Sequence, residues 1–575
     1  MSEGDAPARP TREVIAQREI GRTDISAGLA WLMTVSFLFT LAVPPAAQLV
    51  HELCLGGASG APTCLALFHV LPEVADVFER AEGSLWNRVL AANRRLLRHI
   101  EEYEKQLEDR SLLTQHLLGP TQNWLTGMAG LGNENAYVGR GGWLLYRPDV
   151  DYLTGPGFLE AAVLHRRALG DKSHLAPPLP DPRPAILEFH EQLARRGIRL
   201  IVMPMPGKSA IHPERLSSRF DGSEGPLENP SFPRLCQELR DAGVLVFDPA
   251  PFMTRQKRAS KEIGQFLRTD THWAPDAMQL VAGQLKDFID RHCLLPPRPP
   301  VEFGERMREV ENLGDIAIML HLPEDQTLFP PEKVTIREVV EPDGRPWEPD
   351  EGADVLLLGD SYTNIYSLPE MNWGSTAGLA ERLSFALRRP VDRLAQNDGG
   401  SHAVRQALYQ QLARGHDRLA GKRIVIWEFA VRELAFGDWK TFPMPEPSPA
   451  EDATHTSPPS PSAGAPIVRG TVRAAGGAPQ PGSVPYRDAV TGVHLDGVEG
   501  VGSAFPHGEI VVYLWGMRDN RLVSAAKFVP GQKVTLRLTA WDTVREKYER
   551  FNRIELDDPD FRLAELPTYW AEEAP

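Results

Sequence analysis

Cysteine is scarce in this sequence: only Cys54, Cys64, Cys236 and Cys293 occur among 575 residues. A disulfide scaffold needs more cysteines, and the paired Cys-x-x-Cys spacing of a structural zinc site is missing, so we predict neither a metal site nor a cofactor. Cys54 and Cys64 are close enough in sequence to form one disulfide in an oxidising compartment. Cys236 and Cys293 could instead be small buried apolar residues.

Positive charge is scarce as well, because 62 Lys and Arg residues face 77 Asp and Glu residues, giving a formal net charge of −15. Nucleic-acid binding needs a basic surface that replaces the counterions of the phosphates, so this class of partner is excluded. The length and a hydrophobic content of 42% are sufficient for two or three domains with buried cores.

Only one long apolar run stands out, between Ile25 and Val43, and it carries no charged residue. As a helix it would be roughly 28 Å long, which matches the hydrocarbon core of a bilayer. We therefore predict a cytoplasmic segment over residues 1–24 and a transmembrane anchor over residues 25–43. A cleaved signal peptide is the alternative, since Ala46 and Ala47 would permit cleavage.

The basic residues around this run predict its orientation. Arg9, Arg12, Arg18 and Arg22 precede the run, and no Lys or Arg follows it until Arg80. Because basic residues are retained on the cytoplasmic side of a membrane, most of the chain is expected outside the cytoplasm.

Three flanking regions are predicted from composition and periodicity. Residues 72–118 should form one long amphipathic helix, either a stalk or dimerising coiled coil or a helix packed on the next domain. Residues 441–466 are rich in Pro and Ser and should be a linker. Residues 467–575 alternate apolar and polar positions between glycines, which predicts a small antiparallel β domain. Its Trp and Tyr residues could bind carbohydrate or a partner, or could fill a β core.

Residues 133–440 alternate short apolar runs with segments of helical period, which indicates an α/β domain with a mainly parallel sheet. The predicted strands are residues 198–203, 244–247, 354–358 and 424–427, and the predicted helices are residues 184–196, 275–291, 376–388 and 403–414. A ligand site is expected at the carboxyl ends of such strands.

One predicted strand ends in Gly359-Asp360-Ser361 and is followed by a segment that can begin a helix. Ser361 would then lie at the carboxyl edge of the sheet, near helix N–H groups that could stabilise an oxyanion. The alternative is that Ser361 only caps that helix.

A second pattern, Asp270-Thr271-His272-Trp273, precedes the helix that begins near Pro275. A serine nucleophile needs a base, and the base needs a carboxylate that orients it. On a short extended turn, Asp270 and His272 could point to the same side and form a hydrogen bond. Alternatively, Asp270 or Thr271 could cap the helix and His272 could be a surface residue.

Several motifs in order resemble the AlgJ/AlgX group of SGNH-like alginate and exopolysaccharide O-acetyltransferases. Besides the two patterns above, these motifs are NENAYVGRGGWLLY (residues 133–146), VMPMPGKSAIHPE (residues 202–214) and IWEFAVREL (residues 426–434). The resemblance covers a little over half of the chain. In this family the Asp-x-His pair comes before the serine strand, and this sequence has that order.

The resemblance implies an SGNH-like, flavodoxin-like fold and a catalytic triad in which Ser361 is the nucleophile, His272 the general acid and base, and Asp270 the orienting carboxylate. It also implies a bacterial inner-membrane protein whose catalytic domain lies in the periplasm. A multi-pass membrane-bound O-acyltransferase would supply the acetyl group, and an exported polysaccharide would accept it.

Further candidates surround these three residues. For the oxyanion or substrate site they are Asn397, Gly399 or Gly400, Tyr362, Trp273 and Arg432, although Asn and Gly pairs often only form turns. Arg432 could bind an acidic sugar or pair with Glu428 within the fold.

The residue before the serine departs from the family, which commonly has a small or hydroxyl residue where Asp360 stands. This departure keeps a membrane-tethered carbohydrate acetylesterase open as an alternative function. A non-catalytic, polysaccharide-binding scaffold of a secretion complex is the third hypothesis.

Overall fold

The fold is taken from a computed structural model that describes residues 26–54, 70–80, 84–170, 178–260, 264–397, 400–445, 466–479, 481, 484, 486–500, 508–548, 551–556, 558, 562–563 and 566–574. The chain divides into two compact units, Met1–Pro120 and Thr121–Pro575. Most of the predicted linker, residues 446–465, lies outside the described residues.

The first described helix of the first unit is α1, Ala27–Cys54, which is long and apolar enough to cross a membrane. Large apolar side chains along it are exposed, including Trp31 at 71% and Phe39 at 63%. Such exposure is unfavourable in water and is expected of a helix surrounded by lipid. A signal sequence would have the same composition, so the two alternatives for this segment stay open.

The amphipathic segment is helical, but the prediction of one continuous helix is wrong. It forms α2, Leu71–Arg80, then α3, Leu85–Arg110, and then α4, Leu112–Ala129. The breaks fall at serines that cap the following helices: Ser84 Oγ accepts from the N–H of Asn87, and Ser111 Oγ accepts from the N–H of Leu113. Helices α2 and α3 contact each other where Arg88 donates to the carbonyl of Phe78.

The second unit contains the predicted α/β domain. The elements before its first sheet strand are β1 (Ala136–Val138), β2 (Leu144–Tyr146), α5 (Arg147–Thr154), α6 (Ala161–Ala168) and α7 (Pro182–Arg195). The elements that follow are β3 (Arg199–Met205), α8 (Lys208–Ile211), α9 (Pro213–Leu216), α10 (Phe232–Asp241), β4 (Leu245–Val246), α11 (Ala250–Ala259) and α12 (Pro275–His292).

The remaining elements of this domain include the serine strand. They are β5 (Gly304–Asn312), α13 (Asp315–Met319), β6 (Glu332–Val340), β7 (Val355–Gly359), α14 (Ser361–Asn364), α15 (Leu379–Leu387), β8 (Asp392–Ala395), α16 (Gly400–Ala413), β9 (Ile424–Ala430) and α17 (Glu433–Phe436). The predicted strands and helices of this domain are present, with ends displaced by a few residues. Strand β8 and the β5–β6 hairpin were not predicted.

The main sheet is parallel and has the order β4-β3-β9-β7-β8. Its central strands β7 and β9 are buried throughout, with alternate residues in different cores. Val355 and Leu357 belong to one apolar cluster, whereas Leu356 and Leu358 belong to another. Because helices cover both faces, chemistry is accessible only at an edge, and residues that follow β7, β8 and β9 meet at the carboxyl edge.

The C-terminal β domain is a closed barrel. Its elements are β10 (Ile467–Ala475), β11 (Ala489–Gly500), β12 (Gly508–Arg518), β13 (Arg521–Leu522), β14 (Lys533–Ala540), α18 (Trp541–Tyr548), β15 (Asn552–Ile554) and β16 (Thr568–Glu573). The order β12-β16-β14-β10-β11 closes on itself because β11 also pairs with β12. The domain is not wholly antiparallel as predicted, since β15 pairs parallel with β11, and β16 pairs parallel with β12.

Candidate active site

Ser361 lies at the carboxyl end of the buried central strand β7, at the first position of the short helix α14. The side chain of Asp360 caps this helix, accepting from the N–H of Tyr362 at 2.8 Å. The alternative that Ser361 is only a cap is therefore wrong, because its neighbour fills that place. Among the described residues, neither the hydroxyl nor the N–H of Ser361 forms a hydrogen bond.

The serine turn, Gly359–Ser361, is supported by strand β9, which lies next to β7 in the sheet. Glu428 is buried, and its Oε2 accepts from the N–H of Asp360 at 3.0 Å and from the hydroxyl of Thr363 at 2.8 Å. Asp360 Oδ2 in turn accepts from the N–H of Ala430 at 2.8 Å. Burial and the charge of Asp360 raise the pKa of Glu428 well above its usual range. The turn that presents Ser361 is thus fixed from both sides.

Asp270 and His272 form the short turn that their spacing predicts. Asp270 Oδ1 accepts from the N–H of His272 at 3.0 Å and lies 2.7 Å from His272 Nδ1. Both side chains are 2% exposed, so the alternative of a surface histidine is wrong. Neither Asp270 nor Thr271 caps the next helix, whose cap residue is Ala274.

Two residues that the sequence did not indicate complete the surroundings of Asp270. Its Oδ2 accepts from the indole N–H of Trp373 at 2.9 Å and from the N–H of Asp315 at 3.1 Å. The carboxylate of Asp315 accepts from the N–H of Thr271 at 2.6 Å, and its Oδ2 lies 3.8 Å from His272 Nδ1. The oxygens of Asp270 are therefore held by fixed donors, and its position is defined.

The charges in this cluster shift its pKa values in a direction that suits an acid–base pair. Burial opposes ionisation of Asp270, but the hydrogen bond and charge of His272 outweigh it and lower the pKa of Asp270 to about 2. Burial alone would lower the pKa of His272, but Asp270 and Asp315 raise it. Burial and the charge of Asp270 raise the pKa of Asp315 to about 6. Asp270 is thus ionised and is the partner of the imidazole.

Asp270, His272 and Asp315 also form a group of potential metal ligands, with one atom from each within 4.8 Å of the others. Their hydrogen bonds indicate a role other than metal binding. Asp270 already accepts from peptide and indole N–H groups, and Asp315 accepts from Thr271. An imidazole held by a carboxylate at Nδ1 is the arrangement of a general base.

The histidine loop, Asp270–Trp273, packs directly on the serine turn. The rings of His272 and Tyr362 have their centroids 4.9 Å apart, and the indole N–H of Trp273 donates to the carbonyl of Tyr362 at 3.2 Å. The hydroxyl of Tyr362 donates to the carbonyl of Thr271 at 3.3 Å. His272 Nε2 is buried and forms no hydrogen bond. The described contacts thus join His272 to Tyr362, the residue after Ser361. They leave His272 Nε2 free to accept a proton.

Tyr362 and Trp273 were predicted as oxyanion or substrate-binding residues, and their positions correct that prediction. Both are fully buried, and their polar atoms bind each other's backbone or the histidine loop. They therefore connect the two halves of the site and present no surface to a substrate.

Asn397 lies beside the serine turn and is held there by three described contacts. Its side-chain oxygen accepts from Asn364 at 2.8 Å, its Nδ2 contacts the sulfur of Met371 at 3.3 Å, and its N–H donates to Asn552 at 3.0 Å. The backbone N–H and one hydrogen of the side-chain amide are thus engaged, and the oxyanion role of Asn397 stays a prediction. Gly400 has a φ of +63° at the start of α16, where a Cβ would lie 2.7 Å from Glu433 Oε2, so it serves a turn. Gly399 lies outside the described residues.

Arg432 forms an ion pair with Asp149 at 3.2 Å, and the predicted pairing with Glu428 is wrong. Its guanidinium also lies over the ring of Tyr146, 5.1 Å from the centroid. Asp149 is 2% exposed, and the contact joins the residues that follow β9 to helix α5. These contacts favour the structural role of Arg432 over sugar binding.

The motif residues before the histidine loop hold it in place. Lys208 is buried and its ammonium donates to the carbonyls of Leu144 and Arg268 at 2.7 and 3.1 Å. The N–H of Leu144 also donates to the carbonyl of Arg268 at 2.9 Å. The motifs of residues 133–146 and 202–214 thus meet at Arg268, two positions before Asp270.

The predicted disulfide has no support from the described residues. Cys54 is exposed and carries a free thiol, and Cys64 lies outside the described residues, so the bridge stays a prediction. Cys236 and Cys293 are buried free thiols, as expected of small apolar residues.

Comparison with known proteins identifies the domain that carries this site. A family model described as "SGNH hydrolase-like domain, acetyltransferase AlgX" matches residues 163–431. The probable alginate O-acetylase AlgJ of Azotobacter vinelandii is 28% identical over 262 residues, which are 44% of this chain and 63% of that protein. The central domain is an AlgJ/AlgX-like SGNH domain.

Two further comparisons concern the same AlgJ/AlgX-like domain. The probable alginate O-acetylase AlgJ of Pseudomonas putida is 29% identical over 252 residues, which are 42% of this chain and 60% of that protein. A solved structure, the O-acetyltransferase domain of Pseudomonas putida AlgJ, matches with 23% identity and a TM-score of 0.40 over 53% of this chain and 93% of that one. The chain thus spans less than two thirds of the length of these curated relatives.

A glycine in the AlgJ/AlgX-like domain provides a direct test of the histidine loop. A Cβ at Gly314 would lie 2.3 Å from the carbonyl of Thr269 and 2.4 Å from the nitrogen of Asp270, which are backbone atoms that cannot move away cheaply. We expect Gly314→Ala to lower the free energy of unfolding by about 1–3 kcal/mol and to reduce ester turnover. Urea unfolding and a chromogenic acetyl ester measure the two effects. Gly225→Ala, where a Cβ meets nothing within 4 Å, is the control, and equal behaviour of the two variants would contradict the prediction.

Asp315 should influence the pH dependence of the reaction. Its charge raises the pKa of His272, so Asp315→Asn should lower that pKa and move the acidic limb of kcat/KM to lower pH. The amide can still accept from the N–H of Thr271, so the loop should be retained. The measurement is kcat/KM for an acetyl ester across pH, with the exposed Asp343→Asn as control. An acidic limb that stays in place or moves to higher pH would show that Asp315 does not act on the base.

Proposed function

We propose that this protein is a membrane-anchored O-acetyltransferase that moves an acetyl group through an acetyl-Ser361 intermediate onto a hydroxyl of an exported polysaccharide. The observation that carries the proposal is the Asp270–His272 pair at 2.7 Å, with Nε2 unbonded, in a loop packed on the serine turn. The relatives named alginate O-acetylase support acetyl transfer as the activity.

In the first step, Ser361 Oγ attacks the carbonyl carbon of the acetyl donor while His272 Nε2 accepts the hydroxyl proton. Asp270 keeps the other proton on Nδ1 and stabilises the imidazolium. The N–H of Ser361 stabilises the developing oxyanion in this scheme, and the lack of a described acceptor for it supports this role. His272 then gives its proton to the leaving group, and an acetyl ester of Ser361 remains.

In the second step, a sugar hydroxyl attacks the acetyl-serine, with His272 removing the hydroxyl proton and returning a proton to Ser361 Oγ. Transfer instead of hydrolysis requires that the bound sugar reacts faster than water, which orientation of the acceptor can provide. Neither metal nor cofactor takes part in this scheme.

Location and partners belong to the proposal as well. The apolar helix α1 and the arginines before it support a single-pass protein of the bacterial inner membrane with a periplasmic catalytic domain. One anchor helix cannot carry acetyl groups across a membrane. A multi-pass membrane-bound O-acyltransferase is therefore the proposed donor, and a polysaccharide is the acceptor.

Transfer and hydrolysis are distinguished by product analysis. The purified full-length chain is incubated with a chromogenic acetyl ester and either uronic-acid or neutral oligosaccharides, and products are separated by mass spectrometry. We expect O-acetylated oligosaccharide to form at the expense of free acetate. Acetate release that no acceptor diminishes would instead identify a carbohydrate acetylesterase, the alternative that Asp360 keeps open.

A further inference from the structure

The barrel domain contacts the loop that lies next to the nucleophile. The N–H of Asn397, two residues after the end of β8, donates to the side-chain oxygen of Asn552 at 3.0 Å. Asn552 is the first residue of β15 in the barrel. A residue 155 positions away in sequence thus binds the backbone at the carboxyl edge of the catalytic sheet.

Asn552 is well fixed for this contact. It is 6% exposed, it lies opposite Ala489 in the parallel pairing of β15 with β11, and its Nδ2 donates to the hydroxyl of the buried Tyr486 at 2.7 Å. Because a peptide N–H can only donate, the side-chain oxygen of Asn552 must face Asn397. The geometry leaves one orientation of the amide.

On its other side, Asn397 is joined to the element that carries Ser361. Asn364, the last residue of α14, donates from Nδ2 to Asn397 Oδ1 at 2.8 Å. The N–H of Gln396 donates to the carbonyl of Gly359 at 3.0 Å, two residues before Ser361. A continuous series of hydrogen bonds therefore runs from Tyr486 through Asn552, Asn397 and Asn364 to the serine helix.

Other contacts between the barrel and the catalytic domain lie farther along α16. Gln406 donates to the carbonyl of Leu556 at 3.2 Å, and Gln410 donates to Glu555 at 3.5 Å. These contacts hold the two domains together but do not touch the Asn397 loop. They allow general docking to be separated from positioning of the loop.

We infer that Asn552 is a positioning residue for acetyl transfer: the barrel domain holds the Asn397 loop against the serine helix and so fixes Ser361 relative to His272. The inference rests on the proposed function. Loss of the acceptor at position 552 removes the described partner of the N–H of the half-buried Asn397, and the loop shifts to regain one. Misplacement of a reacting group by about 1 Å is sufficient to lower kcat strongly.

The test compares two substitutions of nearly equal size in the full-length protein. Asn552→Leu removes the acceptor, whereas Asn552→Asp keeps an oxygen that can accept from Asn397. We expect Asn552→Leu to lower kcat for a chromogenic acetyl ester roughly tenfold or more with little change in KM, and Asn552→Asp to retain most of kcat. Tyr486→Phe, which removes only the support of Asn552, should give a smaller loss of kcat.

Gln410→Ala is the matched control, because it removes a contact of the same interface that does not reach the loop. A purely structural role predicts equal losses in Gln410→Ala and Asn552→Leu, or loss of kcat only in proportion to unfolded protein, and either result would overturn the inference. Unchanged kcat in Asn552→Leu while the parent protein forms acetyl-Ser361 would also overturn it, with the proposed function intact. Absence of acetyl-Ser361 in the parent protein would overturn both.

Discussion

Ser361→Ala should lower acetyl-ester turnover and acetyl transfer roughly 10³-fold or more, while the protein folds normally. The physical reason is that the hydroxyl supplies the only bond to the acetyl group in the proposed intermediate. The same hydroxyl forms no hydrogen bond with the described residues, so its removal costs little stability. Turnover of a chromogenic ester and thermal unfolding measure the two parts of the prediction.

Ser209→Ala is the matched control for this variant, because Ser209 is also buried and its hydroxyl also lacks a hydrogen bond. We expect it to keep full turnover. Retention of acetyl transfer by well-folded Ser361→Ala would show that this serine is not the nucleophile and would favour the scaffold hypothesis, in which the chain only binds polysaccharide.

Asp270→Asn should lower kcat roughly 10³- to 10⁴-fold by reversing the tautomer of His272. The side-chain oxygen of an asparagine here would face the two donors at Oδ2, the indole of Trp373 and the N–H of Asp315. Its NH₂ group would then face the N–H of His272, which would lose its acceptor, and His272 Nδ1, which would have to accept and not donate. The ring proton would move to Nε2, and His272 could no longer accept the proton of Ser361.

This loss should persist at high pH, because it arises from the position of a proton and not from the pKa of the base. The measurement is kcat for an acetyl ester between neutral and alkaline pH, with the exposed Asp276→Asn as control. Recovery of most activity at alkaline pH would indicate that Asp270 acts only through its charge, and an unchanged kcat would remove it from the mechanism.

The parts of the site that the sequence predicted are those that depend on neighbouring residues. The apolar strand before Gly359 and the two-residue spacing of Asp270 and His272 are local patterns, and both correspond to what the structure contains. The capping role of Asp360 is local as well, but a serine and an aspartate are equally good caps, so the sequence could not decide which residue fills the cap.

The parts that sequence reasoning missed depend on residues far apart in the chain. Trp373 binds Asp270 across 103 positions, and Asn552 binds Asn397 across 155. No periodicity connects such residues, and the indole or amide involved has an ordinary place in a β core or a turn. Arg432 shows the same limit, because its true partner Asp149 lies 283 positions away, whereas the predicted partner Glu428 is close in sequence.

The fold shows a similar division. Buried strands such as β7 and β9 can be recognised as apolar runs. Strand β8 has only four residues, of which Asp392 and Arg393 are charged, so it gives no such signal. The barrel closes through the parallel pairing of β12 with β16, a strand far along the chain, and no hairpin pattern predicts such a pairing.

The central claim is that Ser361 carries the acetyl group and His272 activates it. The most direct measurement is mass spectrometry of the peptide that contains Ser361 after incubation of the full-length protein with a chromogenic acetyl ester, in parallel with His272→Ala. We predict acetyl on Ser361 in the parent protein and its loss in the variant. A well-folded parent protein without the adduct, or an adduct that forms equally in His272→Ala, would contradict the account.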